Sequence, residues 1–145
     1  FYAAHRNDDQ PSSHKCYNIH GHTFYLDCYF GFDQQDETGV TMLFSDIEQL
    51  VLPVLAAFDH ALILNKSDPI GPLLAPMGIK LCLLDYPPSS ENLARTLYER
   101  ISASVPMVLI AVEFRETTSS LIRYGDQVPS TATDDVRDSR ELINS

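Results

Sequence analysis

Residues 23–32, Thr-Phe-Tyr-Leu-Asp-Cys-Tyr-Phe-Gly-Phe, alternate apolar and polar side chains, and the histidine pair His20-Gly21-His22 leads directly into them. Alternation with a period of two is the mark of a strand with one buried face. Phe24, Leu26, Cys28 and Phe30 fall on one side, with Tyr25, Asp27 and Tyr29 on the other. The same alternation places His20 and His22 on the apolar side, at the edge of a partly buried surface. An imidazole without a partner is costly there. Two imidazoles at i and i+2 can meet one metal ion, and Gly21 between them leaves room for close backbone approach.

A catalytic zinc site needs a third protein ligand and an open position. His5, His14, His60 and Cys16 are all available, and spacing alone does not choose among them. Paired C-x-x-C spacing of the structural zinc type is absent from the sequence. H-x-H also occurs in cupin barrels, an alternative that expects nearly all-β structure.

The remaining chain supplies helices. Ser45 and Glu48 have capping-box spacing, and Ile47, Leu50, Val51, Val54 and Phe58 follow at helical intervals. Pro53 inside this helix should kink it or end it early. Ala61–Asn65 is a short apolar run. Residues 66–78, with three prolines and two glycines, are expected to form a loop, and Ile79–Leu84 a short strand. Ser89 or Ser90 caps a second helix lined by Leu93, Leu97 and Ile101. Val108–Phe114 and Leu121–Tyr124 are the last expected strands. On alternation, Glu116 continues the side of Val108, Ile110, Val112 and Phe114, and a carboxylate there needs a partner or a job. The order predicts an α+β domain with a mainly antiparallel sheet. From about Asp126 the chain becomes polar and loses periodicity. It divides into a domain over 1–125 and an acidic tail over 126–145.

With 145 residues, this is the usual size of one domain. The formal net charge of −10 argues against general nucleic-acid binding, which needs a basic face. A small anionic substrate held by local cations such as Arg6 and Lys15 remains compatible with it. No stretch approaches the ~18 consecutive apolar residues of a membrane span, and no signal peptide is visible. Three cysteines, an odd number, fit a reducing cytoplasm better than a disulfide framework. The chain opens at Phe1 inside a strand pattern, so residues are expected upstream.

Five motifs then occur in order: Phe1-Tyr2-Ala3-Ala4-His5-Arg6; Lys15-Cys16 through His20-Gly21-His22; Asp59-His60 with Leu64-Asn65; Pro88-Ser89-Ser90-Glu91-Asn92-Leu93-Ala94; and Glu116-Thr117 with Tyr124. Together, over residues 1–124, they resemble the 6-pyruvoyltetrahydropterin and 6-carboxytetrahydropterin synthase family. The resemblance implies the tunnelling fold: an antiparallel sheet with two helices on one face, joined across three subunits into a barrel. Two such trimers stack into a homohexamer with active sites at subunit interfaces. It implies zinc held by His5, His20 and His22, catalysis by Cys16, Asp59 and His60, and binding of a pterin substrate by Glu116 and Thr117. A cysteine serves as a base only as its thiolate, which a nearby dication favours. Leu43 stands where the family usually has an aspartate, Arg115 where it often has an aromatic, and Ser89 where it usually has a threonine.

The three residues between Cys16 and His20 resemble the carboxy-forming branch, as does the Glu116-Thr117-Thr118-Ser119 close. The resemblance thus implies conversion of 7,8-dihydroneopterin triphosphate to 6-carboxy-5,6,7,8-tetrahydropterin, with loss of acetaldehyde and triphosphate, a step toward queuosine. The alternatives are 6-pyruvoyltetrahydropterin synthesis, in the biopterin pathway, and a non-catalytic zinc- or pterin-binding relative. Retention of Cys16, His60 and Glu116 together disfavours the last.

Overall fold

The computed structural model describes residues 1–127. The elements run β1 (Tyr2–His5), a 3-10 turn (Lys15–Tyr17), β2 (His20–Thr23), β3 (Tyr25–Gly31), α1 (Phe44–Ala56), β4 (Leu62–Asn65), α2 (Ile70–Leu74), a second 3-10 turn (Ala75–Met77), β5 (Leu81–Leu84), α3 (Ser90–Ser104), β6 (Val108–Arg115) and β7 (Ile122–Gly125). The α+β class is as expected, and helices α1 and α3 rule out the cupin alternative. Of the tail expected over 126–145, all beyond Gln127 lies outside the described residues.

The sheet is not mainly antiparallel throughout. One sheet, β3-β6-β7, is antiparallel. The other, β2-β1-β4-β5, is mixed: β1 pairs antiparallel with β2 but parallel with β4, and β4 pairs parallel with β5. Parallel neighbours need a crossover of about a dozen residues or more, and residues 66–80 supply one between β4 and β5. The loop expected over 66–78 is therefore a helical crossover. Its prolines do not break it. Pro69 is the N-cap of α2, Pro72 lies in its first turn, and Pro76 opens the second 3-10 turn. At such positions the missing N–H would have had no intrahelical partner.

The strand expected over 23–32 is likewise two strands. Phe24, 1% exposed, sits between β2 and β3 as the corner at which the chain passes from one sheet to the other. Helix α1 starts earlier than the capping-box spacing suggests. Its N-cap is Leu43, in extended conformation, with no side-chain cap, so Ser45 is already inside the helix. The helix continues one turn past Pro53 and ends at Ala56. Of the two serines offered as caps for α3, Ser89 is the N-cap, its Oγ accepting from the Asn92 N–H at 3.3 Å.

The core has two buried clusters: Ile101 of α3 packs with Leu109 and Val112 of β6, and a larger cluster joins α3 to the mixed sheet. Ala3, Ile63, Cys82 and Leu84 pack against Leu93, Ala94 and Leu97, with Phe24, Phe58 and Phe114 joining the two sheets. On β6, a register shift opposite Tyr29/Phe30 changes the phase of burial. Leu109 and Ala111 are buried at the start, then Val112 and Phe114. Glu116 continues the side of Val112 and Phe114, but not that of Val108 and Ile110, because the bulge intervenes.

Candidate active site

The C-terminal end of β1 and the start of β2 face each other in register, with His5 directly opposite His20 and Ala3 opposite His22. Gly21 permits this closeness, because a Cβ there would lie 3.3 Å from the Ala3 carbonyl oxygen. The three imidazoles converge. Their ring centroids are 4.5 Å apart for His5 and His20, 5.2 Å for His5 and His22, and 5.0 Å for His20 and His22. One nitrogen from each lies within 4.8 Å of the other two, a grouping able to hold a metal ion.

The far sides of two rings are anchored. His5 Nδ1 is 2.8 Å from the Pro88 carbonyl oxygen, and His20 Nδ1 is 2.8 Å from that of Asn18. A carbonyl can only accept, so Nδ1 carries the proton and Nε2 presents its lone pair. His5 Nε2 and His22 Nε2 are buried without a hydrogen-bond partner. Orphaned buried nitrogens converging on one point, with the tautomers of His5 and His20 set, fit a divalent metal with an open position. Burial lowers the His5 pKa below its ordinary value, against the pull of Pro88 and Glu116. That keeps the ring neutral, as a ligand must be.

Glu116 stands over this group. Its Oε1 lies 3.9 Å from His5 Nε2 and its Oε2 4.0 Å from His22 Nε2, and Oε1 is buried without a hydrogen bond. Cys16 shares a cavity of about 380 Å³ with Lys15, His20, His22, Glu116, Thr117 and Ser120. The backbone of Cys16 is held at both polar atoms: its N–H reaches His14 Nδ1 at 3.2 Å, and its carbonyl accepts from the Asn7 N–H at 2.9 Å. His14, one of the residues available as a third ligand, is thereby the N-cap of the Lys15–Tyr17 turn. Thr117 is tied to Ser120, its Oγ1 lying 2.8 Å from the serine Oγ.

A family profile described as 6-pyruvoyl tetrahydropterin synthase matches residues 1–127. The chain belongs to this family. Among curated relatives, it is 24% identical over 125 residues to the 6-carboxy-5,6,7,8-tetrahydropterin synthase of Aquifex aeolicus, covering 78% of this chain and 77% of that protein. It is 34% identical over 90 residues to the enzyme of the same name from Rickettsia bellii, covering 60% of this chain and 65% of that one. Among solved structures, it superposes on a Wolinella succinogenes protein of uncharacterised function with a TM-score of 0.73 at 18% identity, over 88% of this chain and 94% of the other. The 6-pyruvoyl tetrahydropterin synthase of Caenorhabditis elegans gives 0.65 at 20% identity, over 88% and 90%. At these identities the structural likeness establishes the fold alone.

Asp59 and His60 do not join Cys16. They follow α1 at the other end of β1. There Asp59 Oδ1 accepts from the Tyr2 N–H at 2.9 Å, and Asp59 Oδ2 lies 2.7 Å from His60 Nδ1. The Tyr2 N–H and then His60 hold the Asp59 carboxyl below its usual range. His60 has φ 56°, an unfavourable backbone for a non-glycine residue. Its N–H bonds the Tyr2 carbonyl, and Lys80 Nζ donates to the carbonyls of Ala56 at 2.6 Å and Asp59 at 2.7 Å. Two depressions, of about 590 and 510 Å³, border His60; neither reaches Cys16.

Arg6, a candidate for contacting phosphates, is committed elsewhere: its side chain is 13% exposed and faces Asp68 and Tyr17. Lys15 does line the cavity. The anchoring groups His14, the Pro88 carbonyl and Lys80 were not legible as such. All three act on or through backbone atoms, and the Pro88 contact spans 83 residues.

Proposed function

We propose that this protein is a zinc-dependent lyase that converts 7,8-dihydroneopterin triphosphate to 6-carboxy-5,6,7,8-tetrahydropterin, releasing acetaldehyde and triphosphate. The observation that carries it is the convergence of the His5, His20 and His22 imidazoles beside the cavity that Cys16 and Glu116 line. The curated relatives named above support the carboxy-forming branch, as does the short Cys16–His20 spacing. The catalytic unit is the domain over 1–125, and the setting is the cytoplasm, on the pathway toward queuosine.

His5, His20 and His22 hold the metal. When bound, zinc supplies a Lewis acid that polarises the hydroxyls of the substrate side chain. Glu116 orients the substrate: its carboxylate accepts N–H groups of the pterin ring, with Thr117 beside it. Cys16, as thiolate, takes a proton from the side-chain carbon. Lys15 offers a cation to the phosphates. Asp59 fixes His60 as a proton donor and acceptor at Nε2.

Because Asp59 and His60 sit away from Cys16 within one subunit, they serve the cavity of a neighbour. That requires an assembly, and a homohexamer built as a dimer of trimers meets it. Exposed Tyr2, Tyr25, Leu43 and Phe44 are surfaces such an assembly would cover.

The deciding experiment incubates the zinc-loaded protein with dihydroneopterin triphosphate and traps carbonyl products. Acetaldehyde released in step with triphosphate is the expected result. Triphosphate release with all three side-chain carbons retained would assign the pyruvoyl-forming reaction instead.

A further inference from the structure

Asp68 is the one buried acidic residue among the described residues, with its side chain fully covered. It lies in the crossover between β4 and β5, just before α2. One oxygen, Oδ1, accepts from the Ile70 N–H at 3.0 Å, as a local turn would explain. The other, Oδ2, has no hydrogen bond and faces Arg6 Nε at 3.4 Å. A carboxylate buried this completely is costly unless paired, and Arg6 is its counter-charge.

Arg6 is the residue after the metal-facing His5, and its guanidinium lies over the Tyr17 ring, 4.3 Å from the centroid. Tyr17 follows Cys16 directly. Asn7, which follows Arg6, donates its backbone N–H to the Cys16 carbonyl. A continuous path of contacts therefore runs from the crossover through Asp68, Arg6 and Tyr17 to the turn that carries Cys16. The guanidinium suits this place because it is planar, always charged, and able to bond a carboxylate along its edge while stacking through its face. A lysine could supply the charge but not the flat stack.

We infer that Arg6, oriented by buried Asp68 and stacked on Tyr17, is a positioning residue that fixes Cys16 relative to the three histidines. This rests on the catalytic assignment of Cys16 under the proposed function. Without the stack, the Lys15–Tyr17 turn keeps its backbone bonds and the bond from His20 to the Asn18 carbonyl but loses its side-chain tie to Arg6, and the thiol samples positions from which proton transfer is slow. A displacement of about 1 Å can cost up to two orders of magnitude in rate.

Three variants of the zinc-loaded protein test this: Tyr17→Leu, which removes the ring; Tyr17→Phe, which keeps it; and Arg6→Lys, which keeps the charge but not the stack. The readouts are kcat and KM separately, zinc content, and amide hydrogen exchange of the peptide spanning 14–18. Tyr17→Leu and Arg6→Lys are expected to lower kcat about tenfold, with KM and zinc content nearly unchanged and faster exchange in that peptide. Tyr17→Phe is expected to match the parent in all four. A rise in KM with kcat preserved would make Arg6 a substrate-binding group and overturn the inference. So would slow exchange retained in Tyr17→Leu, or a Tyr17→Phe variant as impaired as Tyr17→Leu. If Cys16→Ala kept full turnover, the catalytic reading would fail, yet the exchange measurement would still report whether the stack holds the turn.

Discussion

The four residues of β1 carry two different kinds of machinery at their ends, about 10 Å apart. At the C-terminal end, His5 is 2% exposed, hydrogen-bonded to Pro88 and packed edge-on against Phe24. At the N-terminal end, Tyr2 lends its backbone to Asp59 and His60, and the His60 side chain is 75% exposed. The buried end is closed on itself. Two of its three rings are anchored with their tautomers set, and its cavity is lined by residues of the same subunit. The exposed end is equally well oriented, through the Asp59 carboxylate, the strained His60 backbone and the Lys80 clamp, but the depressions it borders do not reach Cys16. An imidazole prepared at such structural cost, and then left facing outward, is half of something. Under the proposed function, this difference means that the reactive unit would be completed between subunits, whereas the three candidate metal ligands already converge within one.

The strongest way to break that comparison is to remove base and metal ligand separately at the buried end. Cys16→Ala is expected to abolish measurable turnover while leaving about one zinc per subunit; His20→Ala should lose the metal. Elemental analysis beside the acetaldehyde assay reads both. Metal lost from Cys16→Ala would make the thiolate a ligand and merge base and metal centre into one function.

A finer test mixes inactive partners. Cys16→Ala and His60→Ala subunits, each inactive alone, are unfolded together and refolded in equal amounts. If each site takes Cys16 from one subunit and His60 from another, about a quarter of the sites are intact after random assembly. Activity near that level is expected. None at all, with hexamers formed and zinc bound, would place both residues on one subunit.

A smaller effect is expected from Lys80→Met, which removes the clamp on the carbonyls of Ala56 and Asp59. His60 can then relax from its left-handed backbone, a conformation whose strain is about 1 kcal/mol or more. Turnover should fall several-fold, with zinc content unchanged. An unaffected rate would show that Asp59 alone suffices to orient the ring.

The smallest effect concerns the helix that carries the exposed end. Leu43 occupies the N-cap of α1 and gives its free N–H groups no side-chain acceptor. Leu43→Asp should stabilise the protein by about 1 kcal/mol, raising the melting temperature by about 2–4 °C. No change in thermal unfolding would mean that the Leu43 side chain has a packing role in the assembly that offsets the cap.

How much of this was legible in the sequence depended on range. The His20-Gly21-His22 pair and the apolar side of the following residues are local, and period-two alternation carries that information directly. Phe24 looked like one more residue of a strand, because a corner between sheets leaves the alternation intact. The prolines at 69, 72 and 76 suggested a loop for the opposite reason: their meaning depends on whether they fall at a helix start, which composition does not reveal. The parallel pairing of β1 with β4 joins segments more than 50 residues apart and has no local signature. In the site, the identity of the third ligand was open on spacing and came from resemblance. The structure brings His5 to it through β1–β2 register. Arg6, which by charge looked available for phosphate, was misplaced because its partner Asp68 is 62 residues away.

If the three histidines hold a metal as proposed, the bond between His5 and the Pro88 carbonyl has a consequence for how the chain acquires it during synthesis. The three imidazoles lie within residues 5–22, yet the group that fixes His5 is synthesised more than 60 residues after them, just ahead of α3. An early segment can offer imidazoles to an ion only as a flexible, exchangeable chelator. Tight capture must wait for the long-range closure, which is slow to form because so much chain must first be ordered. Metal retention against a chelator during refolding would then rise with docking of the α3 N-terminus rather than with early hairpin formation, making the ion a late reporter of completed tertiary structure.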